Sequence, residues 1–308
     1  MIALLAGGVG AARLLRGLVR IIDPADVVVV ANTGDDLVLH GLHISPDLDT
    51  ITYTLADAGN PETGWGLAGE SWQAMESLDR YGGPSWFRLG DRDLGTHLFR
   101  TGRLAEGNGL AEVTAEITEG WGLGFRLLPA TEDRLRTMVT LADGAEVGFQ
   151  EYFVGLRHDV AITGIRFDGS EDAHPGPGVL ETLTTAETVI VAPSNPLVSI
   201  APILAIPGIT DVLRARRATN VAVSPIVGGS ALKGPADRML TELGHESSVV
   251  GVARLYRDLV ATLVIDLVDA DLSDEVEAEG LRCVVTDTVM RSVDVAAALA
   301  ATTLGAVA

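Results

Sequence analysis

Short apolar runs alternate with segments of helical spacing at the start of the chain. An apolar run at 2–6 leads through glycines into residues 11–22, where leucines recur every three or four positions. A second apolar run follows at 27–31. Continuous apolar runs of this length are typical of strands that are buried on both faces of a parallel sheet. The opening segment therefore predicts a βαβ unit.

The same rhythm returns in the second half of the chain, where apolar runs predict strands at 188–192, 220–224, 263–266 and 282–285. Between the two parts, residues 46–125 are predicted to be mainly helical, beginning after Ser45, a good N-cap followed by proline. Segments 135–141 and 147–153 flank an Asp-Gly turn and predict a β-hairpin. We predict an α/β fold with a doubly wound, Rossmann-like, mostly parallel sheet. It forms one domain over 1–308, with a helical insertion and a hairpin.

Composition excludes several classes of function. The net charge is −20, which argues against a broad nucleic-acid surface because such surfaces need clustered Lys and Arg. The longest apolar stretch, at 197–209, is interrupted by two prolines, and no basic leader precedes the first strand. The single cysteine, Cys283, suits a reducing compartment. We expect a cytoplasmic protein that binds neither nucleic acid nor membranes.

Polar or glycine-rich sequence follows four of the predicted strands. In a doubly wound sheet, ligands bind beyond the carboxyl ends of the strands. Because these ends lie at one edge of the sheet, the four segments are expected to converge there. They are residues 7–10, 32–36, 193–196 and 224–229. This convergence predicts an active site.

The first of these segments suits an anionic ligand. Gly7, Gly8 and Gly10 have no side chains, so the backbone can approach a phosphate closely, and a helix N-terminus supplies free N–H groups. The segment lacks the complete spacing of a dinucleotide fingerprint and the Lys-Ser/Thr of a P-loop. A tight turn between strand and helix is the alternative interpretation.

The next segments supply carboxylates. Asp35 and Asp36 follow Asn32, and their hard oxygen atoms suit Mg²⁺, which would offset repulsion between a diphosphate and an acidic protein. The alternative is a solvated acid pair. Asp47 and Asp49 lie at a predicted helix start. One of them could orient or deprotonate an attacking hydroxyl group, or both could simply complement the helix dipole.

Two positively charged positions are candidates for binding an anion. Arg88 or Arg92, in a charged segment around a glycine, could bind a phosphate or the acidic edge of a heterocycle, and the alternative is an ion-paired turn. Lys233 is the only lysine and follows two glycines, which indicates a phosphate or interface role. His97, which follows the charged segment of Arg88 and Arg92, is interpreted as a structural residue. The predicted insertion also carries aromatic side chains that could form either core or a cleft for a planar ligand, namely Trp65, Trp72 and Trp86.

Together these motifs resemble the 2-phospho-L-lactate transferase family (CofD in archaea, FbiA in actinobacteria). The resemblance covers nearly the whole chain in the same order. Its motifs are residues 6–17, Asn-Thr-Gly-Asp-Asp at 32–36, Ser-Pro-Asp-Leu-Asp-Thr at 45–50, Leu-Gly-Asp-Arg-Asp at 89–93, Pro-Ser-Asn-Pro at 193–196 and 224–228. Ala11 departs from the pattern, because many members have a further glycine there.

The resemblance implies a reaction. The ribityl hydroxyl of the deazaflavin Fo (7,8-didemethyl-8-hydroxy-5-deazariboflavin) attacks the phosphorus that carries a lactyl or enolpyruvyl group in a guanosine-diphosphate-activated donor, and GMP leaves. The product is F420-0 or its dehydro form, an intermediate of coenzyme F420 biosynthesis. The family uses Mg²⁺ and usually forms homodimers. The residue types do not distinguish the two donors.

The resemblance also assigns residues. Asp49 and Arg88 match positions that lie against the deazaflavin, with Asp49 anchoring or deprotonating the acceptor. Asp35, with Asp36, is expected to hold the metal. The guanosine diphosphate part is expected to contact the glycine loops and neighbouring polar residues, namely Gly7, Gly8, Gly10, Asn32, Asn195, Ser224, Gly228 and Lys233.

A second hypothesis is a regulatory protein that binds a nucleotide sugar without turnover, because a related group of proteins has a similar glycine loop. The motifs at 46–49 and 90–93, with the tryptophan-bearing insertion, favour the transferase.

Overall fold

The computed structural model describes residues 1–60 and 64–307, in which strands alternate with helices. The strands are β1 (Ile2–Ala6), β2 (Val27–Ala31), β3 (Leu37–Leu39), β4 (Leu42–Ile44), β5 (Arg126–Pro129), β6 (Arg136–Leu141), β7 (Glu146–Gly148), β8 (Ile162–Asp168), β9 (Thr188–Val191), β10 (Asn220–Val223), β11 (Ile226–Val227), β12 (Ser230–Ala231), β13 (Thr262–Asp266) and β14 (Arg282–Thr286). The α-helices are α1 (Gly8–Leu18), α2 (Pro46–Leu55), α3 (Gln73–Arg80), α4 (Asp93–Ala105), α5 (Leu110–Gly120), α6 (Val179–Thr185), α7 (Ala201–Leu204), α8 (Ile209–Ala215), α9 (Ala236–Glu242), α10 (Val249–Tyr256), α11 (Ser273–Ala278) and α12 (Val293–Gly305). Shorter 3₁₀ or π segments are Pro24–Asp26, Glu151–Gly155, Pro196–Ile200, Arg217–Thr219 and Leu267–Leu272.

A seven-stranded parallel sheet is the centre of the described fold. Its order is β14-β13-β10-β9-β1-β2-β5. The chain thus builds outward from β1 through β2 to β5, then returns to the other side of β1 and continues from β9 to β14. This is the strand order of a Rossmann-type sheet with one further edge strand. The predicted doubly wound parallel sheet is confirmed, and its order reverses between β1 and β9.

Both faces of the sheet are covered, which explains why its strands are apolar throughout. Along β1, Ile2 and Leu4 pack on the face that also receives the buried leucines of α1 and α12. Ala3 and Leu5 point to the opposite face, towards helices from the second half of the chain. Successive side chains of a strand point to opposite faces, so two cores require apolar residues at every position.

The strands predicted after residue 180 match β9, β10, β13 and β14 to within one residue at each end. Helix α1 differs more, because residues 11–22 were predicted and Gly8–Leu18 are observed. It begins earlier because Gly7 is extended and acts as the N-cap residue. At its other end the helix stops at Leu18, and the N–H groups of Arg20 and Ile21 then donate to the carbonyl oxygens of Gly17 and Leu18, which closes the last turn over three residues.

The predicted hairpin is partly wrong. β6 pairs with β7, as expected, but β7 ends at Gly148 and the chain then forms the π segment Glu151–Gly155. Phe149 and Tyr152 both reach the same small core, and residues three apart share a side only on a helical turn. β8 pairs with the other edge of β6, giving a three-stranded antiparallel sheet that the sequence did not indicate.

Between β2 and β5 the described chain forms the hairpin β3–β4 and then helices α2 to α5. These helices lie within the predicted helical segment 46–125, and the hairpin just before it was not predicted. The division of the chain into one domain with an insertion stays a prediction.

No described helix is by itself both long and apolar enough to cross a membrane. The segments Pro196–Leu204 and Ile209–Ala215 meet the length and composition requirement only as a pair, across a bend of 93°.

Gly17 sets how closely α1 and α12 pack. A β-carbon there would lie 2.2 Å from the carbonyl carbon of Ala296. Gly17→Ala is expected to lower the free energy of unfolding by about 1–3 kcal/mol, because the core would be overpacked. Urea unfolding measures the change.

Gly120→Ala, at the end of α5, is the matched control, because its β-carbon would meet nothing within 4 Å. It should leave stability unchanged or raise it by up to about 1 kcal/mol. Equal stability of the two variants would contradict the tight packing at Gly17.

Candidate active site

The loops after β1 and β9 are joined at the point where the strand order reverses. The hydroxyl of Ser194 donates to the carbonyl oxygen of Gly7 at 2.7 Å and accepts from the Gly7 N–H at 3.4 Å. A β-carbon on Gly10 would lie 2.2 Å from the carbonyl oxygen of Pro193. Glycine is therefore required at position 10 so that the two loops can meet. These contacts fix the crevice in which ligands of such sheets bind.

The N-terminus of α1 faces a carboxylate of the protein itself. Gly8 adopts φ +71°, which favours glycine, and its N–H donates to the side chain of Asp47. Because the N-terminus of a helix carries partial positive charge, the buried carboxylate is favoured there. Asp47 thus joins the start of α2 to the glycine loop.

Asn32 connects the same aspartate to the loop after β2. Its Nδ2 donates to Asp47 Oδ2 at 2.9 Å, while its Oδ1 accepts from the Gly34 N–H at 2.8 Å. The side chain is fully buried, so both bonds are shielded from water. Three elements, β1, β2 and α2, thereby meet around one carboxylate.

Asp35 and Asp36 follow in the same loop and carry poorly compensated charge. Burial raises the pKa of Asp35 well above its usual range, and the nearby charges of Asp47 and Asp36 raise it further. Burial likewise raises the pKa of Asp36, although the Ser45 hydroxyl donates to its Oδ2 at 2.7 Å and opposes that shift. The Oδ1 atoms of Asp35 and Asp36 are buried, and neither has a hydrogen-bond partner among the described residues.

Asp49, two residues after Asp47 in α2, is compensated by contrast. Its carboxylate forms a buried bidentate ion pair with Arg100 of α4, and His97 Nδ1 lies 3.7 Å from Oδ2. On its other side, His97 Nε2 lies 3.3 Å from Asp93 Oδ2. Tyr53 donates to Asp93 at 2.6 Å. Asp49 therefore begins a buried polar network that fixes α2 against α4.

The acid pair suits a divalent cation by its chemistry. Within residues 1–60 and 64–307, no group of three or more His, Cys, Asp or Glu side chains is arranged to hold a metal ion. Mg²⁺ is usually held by one or two carboxylates together with substrate phosphates and water. The Oδ1 atoms of Asp35 and Asp36, which have no hydrogen-bond partner among the described residues, are metal ligands of that kind. These two residues fit the cation that the sequence predicted.

Three other predicted site residues serve the local structure of the same sheet edge. Asn195 Oδ1 accepts from the Leu197 N–H, which caps the following turn. The Ser224 hydroxyl accepts from the N–H of Ile226 and donates to its carbonyl oxygen. The N–H of Gly228 donates to Asp269. In the described part of the chain, these side chains and loops lie after β9 and β10, and their hydrogen bonds do not reach the acidic cluster.

Arg88 and Lys233 lie at the surface. The guanidinium of Arg88 lies 4.7 Å above the ring of Trp72, which in turn packs edge-on against Trp65. This forms an aromatic, cationic surface of the kind that a planar acidic ligand needs. Lys233 Nζ lies 3.0 Å from the point where a β-carbon on Gly64 would stand, so this lysine reaches the predicted insertion.

Sequence reasoning missed the central position of Asp47 and the whole contribution of Arg100. Asp47 was one of two equivalent acids at a helix start. Arg100 shares a helical face with Asp93 and His97, and this spacing was the available signal. Polar residues on one helical face ordinarily indicate solvent, which is why the buried network was not predicted.

Comparisons with known proteins agree over almost the full length. The family model described as 2-phospho-L-lactate transferase CofD matches residues 2–303. Curated relatives named phosphoenolpyruvate transferase include one from Streptomyces griseus, 45% identical over 304 residues, covering 97% of this chain and 96% of the relative. Another, from Mycobacterium tuberculosis, is 40% identical over 299 residues, covering 91% and 90%.

Among solved structures, a UPF0052 family protein from Bacillus halodurans superimposes with a TM-score of 0.64 over 98% of each chain. At 15% identity, this likeness shows a shared fold.

The ion pair of Asp49 and Arg100 is expected to contribute strongly to stability. Arg100→Leu should lower the free energy of unfolding by about 3–5 kcal/mol, because it leaves a buried carboxylate without its partner. Arg166→Leu is the control, because Arg166 pairs with Glu146 at the surface and should change stability little. Denaturant unfolding at neutral pH measures both. Similar losses in the two variants would contradict the importance of burial.

The pKa of Asp47 predicts a pH dependence for the metal-free protein. Burial raises this pKa from 3.8 to about 6, so the folded state keeps a proton that the unfolded chain releases. The stability from this group is present below 3.8 and is lost as the pH rises through about 6. Asp47→Asn should weaken the fall in unfolding free energy across this range, as measured by urea unfolding in a chelating buffer. An unchanged slope would rule out Asp47 as its source.

Proposed function

Because the chain belongs to the 2-phospho-L-lactate transferase CofD family and is a transferase, we propose that it moves a phosphoenolpyruvyl or phospholactyl group to the ribityl hydroxyl of Fo. The donor is the corresponding guanosine-diphosphate-activated compound. The relatives' name, phosphoenolpyruvate transferase, favours the enolpyruvyl donor. The product would then be dehydro-F420-0, with GMP as the leaving group.

The single observation that carries this proposal is that Asp35 and Asp36, near the strand-order reversal, each keep a buried Oδ1 atom with no hydrogen-bond partner among the described residues. The diphosphate of the donor would bring further negative charge to these acidic groups in a chain of net charge −20, and a cation between them would offset the repulsion. We propose that Asp35 and Asp36 hold Mg²⁺. When bound, the cation would neutralise charge on the diphosphate oxygens.

The remaining steps depend on positioning. The acceptor oxygen forms a bond to the phosphorus that carries the enolpyruvyl or lactyl group, and the bond from that phosphorus to the GMP oxygen breaks. The hydroxyl proton is released to solvent water as the new bond between oxygen and phosphorus forms. We propose that Asp49, held in place by Arg100, orients this hydroxyl, because a fixed carboxylate provides a defined acceptor geometry. Arg88 on its tryptophan would bind the acidic edge of the deazaflavin.

The guanosine diphosphate part is proposed to lie along the same sheet edge. Its diphosphate would approach the glycine loop near Gly8 and the turn at Asn195. Its nucleoside would extend towards Ser224 and Gly228, with Lys233 near the phosphates. This placement follows the order of the strand ends, β1, β9 and β10, across the sheet. The proposal includes a cytoplasmic homodimer.

The test is mass spectrometry of the products after incubation with Fo and each activated donor, with and without Mg²⁺. We expect the F420-0 or dehydro-F420-0 mass together with GMP, only when Mg²⁺ is present. Asp35→Asn and Asp49→Asn are each expected to lower the rate at least about 100-fold, because binding or orientation of the reacting groups is lost.

Asp143→Asn, in the exposed turn between β6 and β7, is the control and should retain the rate. If Asp35→Asn and Asp49→Asn both retained near-wild-type rates, the proposed roles would be wrong. Absence of product with both donors would contradict the proposed reaction, and a fluorescence titration showing no Fo binding would favour the nucleotide-sugar alternative.

A further inference from the structure

Helix α4 differs from an ordinary surface helix because it buries charged side chains and exposes two large apolar ones. Its buried side chains are Asp93, His97 and Arg100, which belong to the network that holds Asp49. Its outward side chains include Leu98, 60% exposed, and Phe99, 45% exposed. A surface helix normally buries its apolar stripe and exposes its charges. The outer face of α4 therefore lacks the composition of a face that remains in water.

Two glycines on that outer face have no explanation within the described chain. Gly95 and Gly102 are helical and exposed, and a β-carbon on either would meet nothing within 4 Å. Glycine in a helix interior is destabilising relative to alanine. It is useful where another backbone must approach closely, and small residues at helix crossings allow that approach. The two positions are the ones that a second helix packed on α4 would need.

The outer stripe also carries opposite charges at its two ends. Arg92, Gly95, Phe99, Gly102 and Glu106 follow one another at intervals of three and four residues, so they form a single stripe. Arg92 and Glu106 flank the helix in αR backbone conformation, which continues the stripe to both ends. Each is seven residues from Phe99, and together they span about 21 Å.

This arrangement is complementary to itself. When two copies of the stripe cross antiparallel about a two-fold axis at Phe99, each Arg92 faces the partner's Glu106. An isologous interface requires this property, because the same patch must complement itself. Arg92 donates one guanidinium nitrogen to the carbonyl oxygen of Ala68, and Glu106 pairs with Arg103 at 2.6 Å. Within residues 1–60 and 64–307, no other partner is found for the remaining guanidinium nitrogens of Arg92 or for the second carboxylate oxygen of Glu106, which leaves them available for the contact.

We propose that the outer face of α4 is the centre of a homodimer interface in which the α4 helices of two copies pack antiparallel. A 13-residue helix is about 20 Å long, and stable interfaces bury about 800 Å² per partner, so neighbouring surface completes the contact. The inner face of the same helix carries Arg100 and His97. The dimer contact therefore supports, from behind, the helix that fixes Asp49.

The first test is sedimentation velocity of the full chain, from micromolar concentration to about 100 µM, with the variant Phe99→Glu. The wild type is expected to be a dimer and the variant a monomer, because two added charges would meet at the axis. Circular dichroism confirms that the variant is folded. Leu267→Glu is the matched control, because Leu267 is 61% exposed on a different segment, and it should remain dimeric. A monomeric wild type, or a dimeric Phe99→Glu protein, would overturn the proposal.

Two further variants test the geometry of the interface. Gly102→Leu is expected to raise the thermal midpoint of the monomer, since it replaces a helical glycine, and yet to weaken dimerisation at least about tenfold, since it blocks close approach. A purely structural role for Gly102 would not produce opposite effects on these two readouts.

The pairing of Arg92 with the partner's Glu106 is tested separately by reversing the charges. Arg92→Glu or Glu106→Arg alone should weaken the dimer, and the double variant should restore it towards wild-type affinity, because the attraction is reversed but retained. A double variant weaker than either single variant would exclude the antiparallel pairing. Association is measured independently of turnover, so a failed dimer and a failed transferase reaction are distinguishable.

Discussion

The concentration of buried negative charge at one edge of the sheet is the constraint on which the rest of the site depends. Asp35, Asp47 and Asp49 are buried there, and Asp36 is half-buried with its Oδ1 atom shielded from water. A buried carboxylate is unfavourable unless it is paired, hydrogen-bonded or protonated. The fold compensates them in different ways. Asp49 is paired with Arg100, and Asp47 receives the N–H of Gly8 and the amide of Asn32. The other two, Asp35 and Asp36, each keep one oxygen without a partner in the described part of the chain, and burial raises their pKa values.

The aspartates whose charge is compensated serve the fold, and the two that are not are left for the proposed chemistry. The paired acids link elements that are distant in sequence, because Asp47 joins α2 to β1 and β2, and Asp49 joins α2 to α4. The uncompensated pair remains as the place where positive charge is needed. In the proposed reaction the phosphate groups of the donor bring more negative charge to this edge, so the cation and the donor stabilise one another's binding. Positioning then accounts for the remainder, since phosphoryl-type transfer requires alignment of the attacking and leaving oxygens.

The sequence predicts most of this fold and a smaller part of the site. Runs such as 2–6 and 27–31 determine buried parallel strands because both faces of the sheet are covered, and the polar segments after them must then lie at one edge. The segment after Gly148 was predicted as strand because alternation cannot be distinguished from a single helical turn over so few residues.

The partners of Asp49 were missed for another reason. Arg100 is more than 50 residues away in sequence and, being charged, is ordinarily assigned to the surface. The sequence also does not show why a glycine is needed. Gly10 was predicted to let the backbone approach a ligand, whereas in the structure it allows close contact with the loop at Pro193.

The most direct measurement of the central claim is the affinity for Mg²⁺, determined by isothermal titration calorimetry for wild type, Asp35→Asn and Asp143→Asn. If the uncompensated acid pair is the cation site, wild type and Asp143→Asn bind alike, and Asp35→Asn binds at least about tenfold more weakly. Equal affinity in all three proteins would contradict the account, because the buried charge at this edge would then have no part in holding the cation.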